Sequence, residues 1–301
     1  MKILITGGTN GMGKGVAKIL AQRDNQTHEI IILCRSKSLG EEIIKEFEKT
    51  IFNKKISIVI CNLIKLNDVK NVIQEIQNKH EYLDGIFINA GIGYASKRKE
   101  TIDGMDSHFQ VNYLSQFMLT LNLLNLLEKS KHGGRVIFNA TEKGEIFWND
   151  MQMKGKWSYE DGIHQAMAAK RMFLNKLNNL YSKKKDSKLS FIGFQIPKVV
   201  WSNQLNKIPK LMKIMATIMK FFGTFISIEK CGEIMTPLFI ENQEKSKEKS
   251  GKLITWKENN FIEIKENNNV LNTELQDQLW KISLELCADE KTNQIAMNLL
   301  N

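Results

Sequence analysis

Proline is scarce in this chain of 301 residues, with three in all, and no stretch is low in complexity or repeats internally. That scarcity argues against proline-rich linkers and repeat arrays, and no segment reads as a boundary, so residues 1–301 are expected to form one domain. Cysteine is scarce too. Cys34, Cys61, Cys231 and Cys287 stand apart without paired metal-ligand spacing, and Cys34 and Cys61 lie in or at the ends of apolar runs. No metal site is expected, and the thiols read as free and buried in a reducing compartment. Met1 leads at once into Ile3-Leu4-Ile5, leaving no room for a charged n-region and an apolar h-region, so no signal peptide is expected and the chain reads as cytoplasmic. Acidic residues are outnumbered, giving a net charge of +10, yet the lysines are spread along the chain rather than gathered among aromatics. Nucleic acid is therefore not an expected partner, whereas a phosphate-bearing ligand fits the charge.

What is present is an alternation of short apolar runs with longer segments of helical period, the pattern of a parallel sheet covered by helices on both faces. Strands are expected at 2–6, 29–33, 55–61, 84–88, 135–139, 189–194 and 253–256, and helices at 11–22, 38–50, 66–79, 103–128, 160–182, 228–241 and 273–287. Seven strands with crossover helices make an α/β, doubly wound sheet. One segment breaks the alternation. Residues 210–226 are apolar nearly all round, with Lys210, Lys213, Thr217, Lys220 and Thr224 as a narrow polar stripe. The segment is too short and too charged for a convincing membrane span. It is expected to be an inserted helix within 204–227. Three readings remain for it: a core or dimer helix, a lid over an apolar substrate, or a peripheral membrane contact.

Thr6-Gly7-Gly8-Thr9-Asn10-Gly11-Met12-Gly13-Lys14 follows the first strand and opens the first helix. Gly7 permits the tight turn, Gly11 lets backbone approach a pyrophosphate, and Gly13 lets helix and sheet pack closely, with the helix N-terminus facing the negative charge. Gly7, Thr9, Asn10, Gly11, Met12, Gly13 and Lys14 are thus candidate dinucleotide ligands. Where an acidic residue would hold an NAD ribose, the second strand ends in Cys34-Arg35-Ser36. Arg35 and Lys14 offer positive charge to a 2′-phosphate, which favours NADP(H), the alternative being that both are ordinary surface charges.

The TGxxxGxG spacing between a strand and a helix resembles the short-chain dehydrogenase/reductase family, and so do several later stretches. Asn62-Leu63, Asn89-Ala90-Gly91 and Pro197 with Val199 stand where that family borders its cofactor, although Asn62 replaces an aspartate and Lys198 a glycine. Cys34-Arg35-Ser36, Val111 to Phe117 and the stretch from Glu274 to Leu286 look like the retinol dehydrogenase and protochlorophyllide reductase branch. The resemblance implies a Rossmann fold, NADP(H) and an apolar small-molecule substrate, bulky as in that branch. It also implies a homo-oligomer, since members commonly pair through the helices that here carry Asn112 and Lys170.

The family's reaction uses a serine to polarise a carbonyl, a tyrosine to move the proton, a lysine four residues later, and an asparagine that holds a relay water. The resemblance places Thr141 at the serine, Lys170 at the lysine, Asn112 at the asparagine and Ala166 at the tyrosine. Alanine has no proton to give. The other Tyr-x-x-x-Lys, Tyr181 to Lys185, would fall roughly 22 Å further along the same helix and is rejected. His164, Tyr159, Glu160, Glu142 and Lys143 are conceivable replacement acids, His164 foremost, although two residues from Ala166 it faces another way. Three functions remain open: an NADP(H)-dependent oxidoreductase on an apolar carbonyl, alcohol or activated double bond; a silent NADP-binding protein; and a redox-neutral enzyme.

Overall fold

Runs of β-branched and aliphatic residues such as Ile3-Leu4-Ile5 and Ile30-Ile31-Ile32 suit strands buried on both faces, and in the computed structural model they are fully buried. The structure describes residues 1–23, 27–49, 51, 55–201, 209, 213, 215, 217 and 224–300. Strands β1 (Lys2–Thr6), β2 (Glu29–Cys34), β3 (Ile56–Ile60), β4 (Gly85–Ile88), β5 (Arg135–Asn139), β6 (Ser190–Gln195), β9 (Leu253–Lys257) and β10 (Asn260–Ile264) form one sheet in the order β10-β9-β6-β5-β4-β1-β2-β3. Helices α1 (Gly11–Gln22), α2 (Lys37–Glu48), α3 (Leu66–Lys79), α5 (Ser115–Glu128) and α6 (Tyr159–Ser182) lie in the crossovers that link β1 to β6. The strand order reverses between β1 and β4, and ligands of such sheets bind at that point beyond the carboxyl ends of the strands.

The sheet has eight strands rather than the expected seven. β10 runs antiparallel to β9 across the two-residue turn Glu258-Asn259, both at positive φ (51° and 61°), as a tight hairpin of this hand requires. The end of the apolar segment is a further correction: Phe225–Ile226 is a strand, β8, paired with β7 (Val199–Val200). Lys213, Met215 and Thr217 are helical, and the remainder of the expected 210–226 helix lies outside the described residues. The expected helix at 103–128 starts later and is interrupted. Asp106 caps α4 (Ser107–Phe109) by accepting the amides of His108 and Phe109, and a π-turn over Gln110–Leu114 separates α4 from α5.

Two apolar clusters flank the sheet. On one face, α1 meets α7 (Ile228–Ile240) so closely that a Cβ on Gly15 would stand 2.0 Å from the Ile228 carbonyl, and one on Gly232 2.2 Å from the Gly15 carbonyl. α7 is followed by α8 (Gln243–Glu248), and β10 by a short α9 (Asn268–Leu271). On the other face, α5 and α6 are covered by the chain's own α10 (Thr273–Cys287) and α11 (Glu290–Leu300). Trp280 packs edge-on to Phe117 and at a tilt to Phe173, with ring centroids 5.5 and 6.0 Å away. The Tyr113 hydroxyl meets Ser283 Oγ at 2.7 Å, and Asn122 donates to Thr292 Oγ1 at 2.8 Å. The α5–α6 face that the resemblance assigns to pairing is thus covered by the chain's own helices. Among the described residues no helix is long and apolar enough to cross a membrane.

Candidate active site

The candidate cofactor ligands converge where the strands end. Gly7 and Gly11 have φ of 70° and 54°, and a Cβ on Gly13 would lie 2.5 Å from the Gly7 carbonyl, so the loop folds back on itself in a way only glycine permits there. Asn10 caps α1 without a side-chain bond, and no acidic residue occupies the first turn, so the positive end of the helix is electrostatically open to an anion. Thr9 and Met12 sit half-buried on the same loop. Lys14 is less free than its position in the sequence implies, being paired with Glu46 of α2 at 2.6 Å. Arg35 is exposed at the end of β2 with no ion pair among the described residues, which leaves it the more available cation for a 2′-phosphate.

Asn62 accepts the Ile64 amide at 3.4 Å, and the Leu63 carbonyl is taken by Ser115 Oγ at 2.6 Å. Asn89 donates to the Thr6 carbonyl at 2.9 Å, and the amides of Asn89 and Ala90 both donate to Thr6 Oγ1 at 2.9 Å. Gly91 passes directly under Asn112, where a Cβ would be 3.1 Å from its Oδ1. Pro197 is exposed, and Val199 is 56% exposed at the start of β7. The residue types and the end-of-strand cradle fit a dinucleotide, with the pyrophosphate at the Gly11–Gly13 turn.

Gln116, one turn beyond Asn112, also belongs to this group, although no motif singles it out. Its Oε1 lies 3.1 Å from Thr6 Oγ1, and its Nε2 donates to the carbonyls of Ala90, Val111 and Asn112 at 2.7, 2.9 and 3.2 Å. The last two belong to the π-turn, whose extra residue disturbs the usual helical pairing. Gln116 thus ties the first strand, the Asn89 loop and the bent helix together.

On α6, Ser158 caps the helix by accepting the Asp161 amide, and Glu160 and Asp161 complement its dipole. Lys170 is 1% exposed, and its Nζ donates to the Asn139 carbonyl at 3.1 Å. Burial pushes its ammonium down to about 7. Ala166, one turn earlier, is fully buried in the cluster that holds Ile146 and Met151. Asn112 clasps the backbone of Ile92, accepting its amide at 2.7 Å and donating to its carbonyl at 3.1 Å. Thr141 is half-buried at the end of β5 and accepts the Lys143 amide at 3.2 Å.

His164 lines an open cleft of about 500 Å³ with Glu145, Asp161 and the asparagines 267–269. Ala168 and Met172, at helical spacing from His164, line the recess beside that cleft, so this face of α6 differs from that of Ala166 and Lys170. Tyr159 packs against Tyr94 and donates to Glu160, its hydroxyl raised above the ordinary range chiefly by burial. The Tyr181 hydroxyl donates to Glu128 at 2.9 Å, a structural bond far along α6.

Sheet order, glycine turn and converging loops define a Rossmann-type dinucleotide-binding protein. The short chain dehydrogenase family model matches residues 1–153, and the chain belongs to that family, whose members use nicotinamide cofactors. It is 30% identical to human polyprenol dehydrogenase over 183 residues, 59% of this chain and 54% of that protein. It is also 30% identical to human retinol dehydrogenase 11 over 159 residues, 49% of this chain and 48% of that protein. The chain thus spans about half the length of these relatives, although mouse retinol dehydrogenase 11 aligns over 94% of the chain and 85% of its own length at 24% identity. Among solved structures, an uncharacterized protein of Mycobacterium paratuberculosis superposes with a TM-score of 0.68 at 19% identity, covering 96% of this chain and 94% of that one. A short chain dehydrogenase of Shigella flexneri complexed with NADP superposes with a TM-score of 0.60 at 20% identity, covering 84% and 95%. Both likenesses support the fold.

Proposed function

We propose that the chain is a single-domain, NADP(H)-dependent oxidoreductase acting on an apolar carbonyl, alcohol or activated double bond, with Ala166 in the position of the family's tyrosine. The observation that carries this reading is the pairing of an intact glycine turn at α1 with Lys170 buried at the end of β5, one helical turn from an alanine. A bound nicotinamide cofactor would supply or accept the hydride. Gly11 and Gly13 would hold its pyrophosphate, Arg35 its 2′-phosphate, and Lys170 its ribose.

Reduction of a carbonyl leaves negative charge on its oxygen, and that charge needs a hydrogen-bond donor and then a proton. Thr141 is the donor in this reading, since its Oγ1 already accepts the Lys143 amide and its own proton is free to point at the substrate. With Ala166 unable to deliver the proton, the Lys170 ammonium, titrating near 7, delivers it through water and recovers it from solvent. Removing a positioned acid lowers rates typically by 10²–10⁴, which favours acceptors that are already activated, such as enones.

A second reading rests on Ala166 itself: a catalytically silent or redox-neutral protein would keep the same cofactor cradle. Calorimetric titration with NADPH and NADH, followed by NADPH oxidation in the presence of aldehydes, ketones and enones, separates the two. Tight NADPH binding with turnover supports the oxidoreductase, binding without turnover supports the second reading, and binding of neither nucleotide refutes both. The relatives' names make polyprenols and retinoids the first substrates to try. Flotation of the chain with anionic vesicles tests a membrane contact through 210–226.

A further inference from the structure

Arg171 directly follows Lys170 and is absent from the family's set of functional residues as read above. Its side chain is 1% exposed and pairs through Nη1, at 2.5 Å, with Oε2 of Glu266, itself 7% exposed, on the segment between β10 and α9. The other end of the guanidinium turns the opposite way. Nη2 donates to the Lys143 carbonyl at 3.2 Å and reaches the Gly144 carbonyl at 3.5 Å. Lys143 is therefore held from both sides, since its amide donates to Thr141 Oγ1. Gly144 adds a stop: its φ is 108°, and a Cβ there would lie 2.0 Å from the His164 carbonyl, so the turn lies directly on α6.

A buried ion pair is weak evidence for stability, because apolar residues of the same volume often do as well or better. What such a pair supplies is direction: guanidinium and carboxylate tolerate few relative geometries. We propose that Arg171, braced by Glu266, is a positioning residue that fixes the Thr141–Gly144 turn and thereby aims the Thr141 hydroxyl into the site. With the Lys143 amide occupying one lone pair of Oγ1, the hydroxyl proton turns away from that amide and towards the carboxyl end of β5, where a substrate oxygen would lie. The proposal rests on the role given to Thr141 above.

Arg171→Leu alone leaves the Glu266 carboxylate buried without a counter-ion and is expected to destabilise the fold. The informative variant is therefore Arg171→Leu/Glu266→Leu, which removes both charges at once. Hydrogen exchange of residues 141–146 in the nucleotide-free protein is the first readout. Faster exchange in the folded double variant, with NADPH affinity retained, supports the proposal, and unchanged exchange overturns it. In the second readout, kcat falls by roughly ten- to a hundredfold at constant KM for NADPH, the scale on which a small misplacement of a reacting group acts. Arg171→Lys, which keeps the charge, recovers part of that loss. A double variant with faster exchange but wild-type kcat also overturns the proposal. A wild-type protein that binds NADPH but turns over nothing sinks the oxidoreductase reading, and the exchange experiment then decides the positioning on its own.

Discussion

Ala166 and Lys170 carry the sharpest consequences at the scale of single residues. Ala166→Tyr places a phenol one turn before the buried lysine. Overpacking this site is expected to cost about 1–3 kcal/mol, seen as a lowered melting temperature. If the position is the family's proton donor, the same change raises carbonyl-dependent NADPH oxidation by about 10²–10⁴. A folded variant with unaltered turnover would refute that placement. Lys170 makes a separate prediction about stability. Its ammonium titrates at about 7 in the fold against an ordinary 10.5, so between these values the unfolded chain binds the extra proton and stability rises with pH. Below about 7 both states are charged and this contribution no longer changes. Lys170→Met is therefore expected to flatten the rise in melting temperature between pH 7 and 10, relative to the wild type. The glycine turn was legible in residue spacing because it is a local pattern, whereas Thr141, Lys170, Asn112 and Ala166 were placed by the family resemblance. Gln116, Glu46 and Glu266 escaped because their partners lie on other elements, and spacing along one element carries no sign of those contacts.

Among the elements, the seven expected strands and the main helices fall close to where periodicity puts them, since buried parallel strands and amphipathic helices differ strongly in period. β10 was missed because its residues are largely exposed, which leaves an edge strand little apolar signal, and because the turn before it uses Glu258-Asn259 rather than a glycine pair. The π-turn over Gln110–Leu114 carries no mark in the apolar period, since all five of its residues are buried as a continuous helix would bury them there. The crossing of α1 and α7 offers a test. Gly15→Ala adds a single methyl group where the Ile228 carbonyl already stands, with no flexible side chain to give way. A loss of about 1–3 kcal/mol is expected, and with it a melting temperature lower by several degrees in a thermal scan. Because this helix also carries the glycine turn, NADPH affinity measured well below the transition should fall as well.

For the whole molecule, the covering of α5 and α6 by α10 and α11 changes what the family resemblance implies about assembly. The homo-oligomer that the resemblance implies is expected to form through another surface. Sedimentation of the full chain is expected to show no association through α5 and α6. A truncation ending at residue 272 uncovers Phe117, Phe173 and Tyr113 together and should self-associate or precipitate at concentrations where the full chain does not. A truncated protein that stays monomeric and soluble would show that the helix pair is not what closes this face.

The same covering has a consequence in time. The hydroxyls of Tyr113 and Ser283 that meet at 2.7 Å are 170 residues apart in the sequence. At a synthesis rate of roughly 5–20 residues per second, the helix bearing Tyr113 waits on the order of ten to thirty seconds for its cover to be made. During that interval the apolar surface around Tyr113 and Phe117 faces the surrounding solution, on a sheet that begins with β1 to β4 and gains its remaining strands only as synthesis proceeds. The nascent chain is then a client for chaperones that bind exposed hydrophobic surface, and its yield in a cell should follow translation speed between residues 128 and 287 more closely than the stability of the finished protein does.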